Sequence, residues 1–178
     1  MKKHNNFVLK ALELITWIIF IGLCVEAGAL LFNFAYTIFK PIAAHNVYNG
    51  LNLSELYQKQ FFHFAGLMSF TVVLAVLKAY LFFLLVKVFT KLNLVNPFSI
   101  EIAKLIQKIS VDALSVAIVS IIATQYTKRL IQSGYEVSHI GKYWNDTSAF
   151  LMMAAIIYVI SVLFKKGIEL QNENDLTV

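Results

Sequence analysis

Cysteine and proline are scarce in this chain, and charge is thin. The one cysteine, Cys24, rules out an intrachain disulfide and any paired-cysteine metal site within the 178 residues. The two prolines, Pro41 and Pro97, stand between apolar runs rather than inside one. The chain thus lacks the proline-interrupted membrane segments that often mark transport sites. It has no Ser/His/Asp nucleophilic set, no glycine-rich phosphate loop and no histidine pair at metal-ligand spacing. His45, His63 and His139 fall in the connections near Glu55, Glu136 and Asp146, and they read as scattered loop residues. The expectation is a protein without catalytic residues, cofactor or metal.

Long apolar runs, in contrast, fill most of the chain. Hydrophobic residues make up 59% and charged residues 14%, with a mean hydropathy of +0.71. A bilayer core about 30 Å thick needs roughly 20 apolar helical residues. Four segments meet that length: Ala11 to Phe39, His63 to Thr90, Glu101 to Gln125 and Thr147 to Lys166. The expected architecture is all-α, a single integral membrane domain over residues 1–178 built as a four-helix bundle, with a polar tail over 167–178. The first segment reads as a retained helix, because Ile38-Phe39-Lys40-Pro41 is not a small-residue cleavage site.

Charge gives the orientation. Lys2, Lys3, Lys10, Lys87, Lys91, Lys104, Lys108, Lys165 and Lys166 fall on one side of a four-pass arrangement. Lys40, Lys59, Lys128, Arg129 and Lys142 fall on the other. Nine against five predicts both termini in the cytoplasm. The net charge of +5 is thereby assigned to topology, and no direct nucleic-acid binding is expected. Local signals mark the ends of the helices. Pro41 stops the first, Asn49-Gly50 makes a turn, and Ser54 offers an N-cap for an interfacial start to the second. Asn96 as N-cap and Pro97 as first helical residue begin the third, with Glu101 in its first turn. Gly134 and Gly141 break the last connection, and Gly167 is the expected C-cap of the fourth helix.

Three ionisable residues fall deep within the spans: Glu26, Lys78 and Asp112. Each costs about 2.5–3.5 kcal/mol at a helix centre on insertion scales if left unpaired. Counting along antiparallel neighbours puts Lys78 and Asp112 at similar depth. The expectation is a Lys78–Asp112 pair, with Glu26 protonated or sharing Lys78. Such a cluster serves either as a polar clamp that fixes helix register or as an ion or proton path, and the unbroken helices favour the clamp. Gly22, Glu26, Ala29 and Asn33 form a small, polar stripe on the first helix, suited to close helix packing or, less simply, to a homodimer face. Cys24 reads as a small core residue.

Two further stretches are more specific: Asn96-Pro97-Phe98-Ser99 with Glu101, and the C-terminal run from Gly167-Ile168-Glu169-Leu170-Gln171 to Asp175-Leu176-Thr177-Val178. With the four apolar spans they make the chain resemble, over essentially its whole length, a bacterial membrane family known as domain of unknown function 2975. The residue after the glutamate of the third helix is often Asn in that family, whereas here it is Ile102. The resemblance carries no catalytic residues. It implies a small inner-membrane protein, and the frequent neighbourhood of a Cro/CI-type helix-turn-helix gene implies a transcription regulator as partner.

Three functions fit these observations. The first is a regulatory partner that holds or releases a cytoplasmic helix-turn-helix regulator through Asn96–Ser99, Glu101, Glu169 and the terminal Asp175, Leu176, Thr177 and Val178. Those terminal residues would add to a groove or sheet edge of the partner, or fold back over the Asn96–Ser99 turn. The second is an accessory subunit of a larger membrane complex. The third is a small ion- or proton-coupled transporter using Glu26, Lys78 and Asp112.

Overall fold

Helix-favouring apolar runs broken by two prolines and a few glycines give a chain that is helical almost throughout. The computed structural model describes residues 2–92 and 97–176, with side chains described over 7–92, 97–137 and 139–173. Five α-helices follow in order: α1 (Lys2–Phe39), α2 (Ser54–Lys59), α3 (Phe61–Lys91), α4 (Ile100–Gln132) and α5 (Thr147–Leu176). Two 3-10 helices, Pro41–Asn46 and Ser138–Tyr143, lie in the connections, and there is no strand among the described residues. Four of the helices are long and apolar enough to cross a membrane. At 1.5 Å per residue, the 33 residues of α4 extend about 50 Å, well beyond a bilayer core.

Close packing runs in chain order. α1 packs on α3, α3 on α4 and α4 on α5, while α1 and α5 form no seam with each other. The expected bundle is thus an open row, with α3 and α4 at its centre. The buried positions of α4 show how that row is held. Ala103, Ile106, Ser110, Ala113, Ala117 and Ser120 recur at alternating spacings of three and four. Small residues at this spacing let neighbouring backbones approach closely, which is how helices associate where lipid offers no hydrophobic drive. The Ser110 hydroxyl donates across the seam to the Ala154 carbonyl at 3.0 Å. Other buried hydroxyls turn back on their own helix: Thr37 to Asn33, Thr71 to Leu67 and Thr127 to Ala123, all i to i−4. This satisfies them internally where no water is available.

The two connections at the α3 N-terminal end are packed structure, hereafter the loop end. Val47, Leu51, Leu53, Leu56, Val137, Ile140 and Trp144 are all buried, in one cluster with Phe64, Leu67 and Met68 of α3. Asn49 and Gly50 take φ of 48° and 78°, the turn their sequence predicts. Gly134, at φ 87°, closes α4: its N–H donates to Ile131, and the Tyr135 N–H donates to Leu130. That pairing is a Schellman closure, which needs the left-handed backbone glycine allows. Lys142 donates to the Asn49 carbonyl and the Tyr143 hydroxyl to the Tyr48 carbonyl, tying the two connections together.

Several sequence expectations need correction. All four long helices exceed their predicted spans. α5 passes straight through Gly167 to Leu176, so Gly167 is not a C-cap and the described part of the tail is helical. Ser99, not Asn96, caps α4: its hydroxyl accepts from the Ile102 N–H at 3.3 Å. Asn96, Thr177 and Val178 lie outside the described residues, as do the side chains of Asp175 and Leu176. Ser54 opens α2 as its first residue, with Leu53 at the cap position and no side-chain cap bond. Cys24 is exposed rather than in the core. Gly22 is exposed with nothing near its Cβ position, and the packed face of α1 runs instead through Ala27 and Leu30. α1 is apolar on nearly every side, and lipid accommodates the rest of its surface.

Trp144 is 2% exposed within the loop-end cluster, whereas Phe39 is 83% exposed. Trp144→Ala should therefore cost about 3–5 kcal/mol of stability. Phe39→Ala should stay within about 0.5 kcal/mol of the parent, both read by denaturant unfolding in micelles.

Candidate functional site

The Pro97–Ser99 turn links α3 to α4, and the Ser99 cap fixes where α4 starts. This geometry directs Phe98 sideways onto α5. Its ring lies 5.3 Å from that of Phe164, centroid to centroid, at 57°. It also covers Gly167: a Cβ added there would come within 2.7 Å of two Phe98 ring carbons. Gly167 is therefore glycine because an aromatic ring occupies the space a side chain would need. The two distinctive stretches of the sequence meet at this contact, at what is hereafter the turn end. Glu101, in the first turn of α4, pairs with Lys91 at the end of α3, closing the same turn from the other side. Glu169 pairs with Lys166 one turn away on α5, at 2.7 Å. Both pairs are exposed and contribute little to stability.

The expected Lys78–Asp112 pair does not form. The register of α3 on α4 is set by His63 Nδ1 at 2.8 Å from the Tyr126 hydroxyl at the loop end, and by Lys91–Glu101 at the turn end. That register does put Lys78 and Asp112 at nearly the same height. Side chains, however, lean toward the N-terminus of their own helix. α3 and α4 are antiparallel, so Lys78 leans toward the loop end and Asp112 toward the turn end. The Lys78 ammonium donates to the Tyr143 carbonyl at 3.2 Å, lies 3.6 Å from Asp146 Oδ2 and sits 5.5 Å from the Phe150 ring centre. Lys78 thus pins the second 3-10 helix against the bundle. Glu26 does not share Lys78; it is half-buried near Tyr143.

Asp112 is 7% exposed, and its Oδ2 atom has no hydrogen-bond partner. It borders a cleft of about 680 Å³ between α3 and α4. Lys87, Lys91, Lys104 and Lys108 line the cleft toward the turn end, and Tyr80, Val111 and Ser115 line the part around Asp112. The lysines count toward topology in the sequence, but their i, i+4 spacing on two helices, 87/91 and 104/108, also signalled a shared face. Phe98 against Gly167 had no such signal, because the contact joins residues far apart in the chain. At the loop end, Glu55, Glu136 and His139 border a second hollow of about 460 Å³. Among the described residues, no three His, Cys, Asp or Glu side chains are grouped to hold a metal ion.

Gly167→Leu should clash with Phe98 and cost about 1–3 kcal/mol, as overpacking does. Adding Phe98→Ala should recover part of that loss, measured by limited proteolysis of the α5 end and by unfolding. In contrast, the effects of Lys78→Met and Asp112→Leu should add to within about 0.5 kcal/mol, because the two side chains share no partner.

No curated protein and no solved structure matches the chain. A family model does, over residues 40–178. The match takes in the Phe98 turn, both loop-end connections and all of α5, and it leaves α1 outside, so the resemblance covers less of the chain than its sequence suggested. The chain belongs to the family described as protein of unknown function (DUF2975).

Proposed function

We propose that the protein is a non-catalytic interaction protein of the bacterial inner membrane, with both termini in the cytoplasm, and that its turn end engages a cytoplasmic helix-turn-helix regulator. One observation carries this reading: α5 continues as an ordered helix past the length a bilayer needs. Its 30 residues extend about 45 Å, against about 30 Å of hydrocarbon. At Gly167, where the final turns begin, the helix is seated on Phe98. Those turns carry Leu170, 62% exposed, beside the exposed Glu169. An apolar side chain on a protruding polar helix suits a groove on a partner. The lysine distribution supports the cytoplasmic placement, and the genomic neighbourhood implied by family resemblance supports the class of partner.

A second reading has its own support. The spanning parts of α1 and α5 bury little within the chain. Those apolar flanks suit lipid, and they equally suit the helices of a larger membrane complex, for which the protein would be an accessory subunit.

Purification from the native host in mild detergent through an N-terminal tag, followed by mass spectrometry, tests both readings. A small helix-turn-helix protein should accompany the full chain and be lost from Leu170→Asp. Large membrane subunits in fixed ratio, indifferent to Leu170→Asp, would establish the accessory reading instead. For orientation, a reporter that matures only in the cytoplasm should be active when fused to the C-terminus, and one active only outside should stay silent there.

A further inference from the structure

We propose that the cleft between α3 and α4 is a binding site for one anionic phospholipid, its phosphodiester held by Lys87 and Lys108, with Lys104 at the mouth of the cleft. Four lysines line the cleft, and Lys91 is already paired with Glu101. Among the described residues the other three have no carboxylate partner. Three uncompensated cations in one cleft between membrane helices call for an anion, and an interfacial basic pocket of this kind is suited to a lipid phosphate.

The lean of the side chains makes Lys87 and Lys108 converge. α4 begins at the turn end, so Lys104 and Lys108 lean toward that end. α3 begins at the loop end, so Lys87 leans the other way, and its ammonium rests 4.4 Å from the Phe83 ring centre, one turn back. In the register set by Lys91 and Glu101, Lys87 lies level with Lys104. Its inward lean and the outward lean of Lys108 bring the two ammonium groups toward one height. A lysine near the end of a membrane helix ordinarily snorkels to water. Lys87 is instead half-buried on an aromatic face.

The deeper part of the cleft fits the rest of a glycerolipid. Asp112 lies one helical turn beyond Lys108, about 6 Å along the axis. Its unpartnered Oδ2 is a buried hydrogen-bonding group with no protein neighbour to satisfy it. Beyond the phosphate of a lipid come its glycerol esters, whose oxygens only accept hydrogen bonds, so Asp112 would meet them as the protonated, donating acid, and Tyr80 and the exposed Val111 offer an apolar wall at the same depth for the start of the acyl chains. A cleft that is cationic near the helix ends and, one turn further in, sets a hydrogen-bonding group beside an apolar wall follows the order of groups along a phospholipid. A soluble phosphate compound would leave the deep part unfilled.

Native mass spectrometry of the full chain in mild detergent, with added phosphatidylglycerol or phosphatidylcholine, tests the site. Phosphatidylglycerol should remain as a one-to-one adduct, and phosphatidylcholine should bind at least tenfold more weakly. The exposed pair Lys104→Gln with Lys108→Gln should weaken the phosphatidylglycerol adduct roughly tenfold or more. Lys165→Gln with Lys166→Gln, outside the cleft, should leave it unchanged. Asp112→Asn should bind as the parent does, and Asp112→Leu several-fold more weakly. Equal retention of the two lipids, an equal effect of the two lysine pairs, or displacement of the lipid by millimolar inorganic phosphate would overturn the proposal. A phosphatidylglycerol carrying a photoreactive group near its glycerol should label the unmodified chain within residues 104–115. Labelling elsewhere would overturn the proposal without any variant.

Discussion

A polar group inside a bilayer has no water to fall back on, so each one must find its partner within the chain or in the lipid. That constraint shapes every part of this structure. Most buried hydroxyls fold back on their own helices or, as with Ser110, reach across to a neighbour's carbonyl. Lys78 reaches Tyr143 and Asp146. The loop-end connections, which would expose backbone in a looser protein, are knitted to one another by Lys142 and Tyr143 and covered by a cluster of buried apolar side chains. Asp112 alone keeps a buried side-chain oxygen unpartnered among the described residues, and it does so beside a cleft lined by lysines.

The direction of each helix decides where its polar side chains go. On antiparallel neighbours, residues at one height lean opposite ways, so Lys78 serves the loop end and Asp112 the turn end. The same rule draws Lys87 and Lys108 together from different heights. The molecule therefore has two polar ends with different characters. One is a packed cap, stitched by Lys78. The other combines an uncompensated basic cleft with a projecting helix, held in place by a ring pressed onto a glycine.

The gross fold was legible in the sequence because length and hydropathy alone decide whether a helix can span a bilayer. Four spans could be read that way, and the Asn49-Gly50 turn and the break at Gly134 could be read from local turn residues. The lysine asymmetry was legible too, although its local meaning at 87/91 and 104/108 was hidden behind its topological one. Pairing was not legible. Depth along a helix follows from counting, but side-chain lean and azimuth depend on helix direction and packing, and that separates Lys78 from Asp112. Gly167 misled for a related reason. A glycine followed by polar residues reads as a helix end, yet here it marks the close approach of Phe98, a tertiary contact with no local trace. Ser99 caps α4 because its extended backbone lets its hydroxyl accept from the Ile102 N–H, a geometry that residue type alone does not reveal.

The turn end is one docked unit, Phe98 on Phe164 and Gly167, with α5 continuing as a helix beyond. Cysteines in place of Phe98 and Phe164, in a Cys24→Ser background, test this directly in native membranes with a short bifunctional thiol reagent. Efficient crosslinking, comparable to that of a Lys91→Cys, Glu101→Cys control, is the predicted result. A control that crosslinks while the Phe98–Phe164 pair does not would contradict it, and α5 would then have to leave the bundle before Gly167.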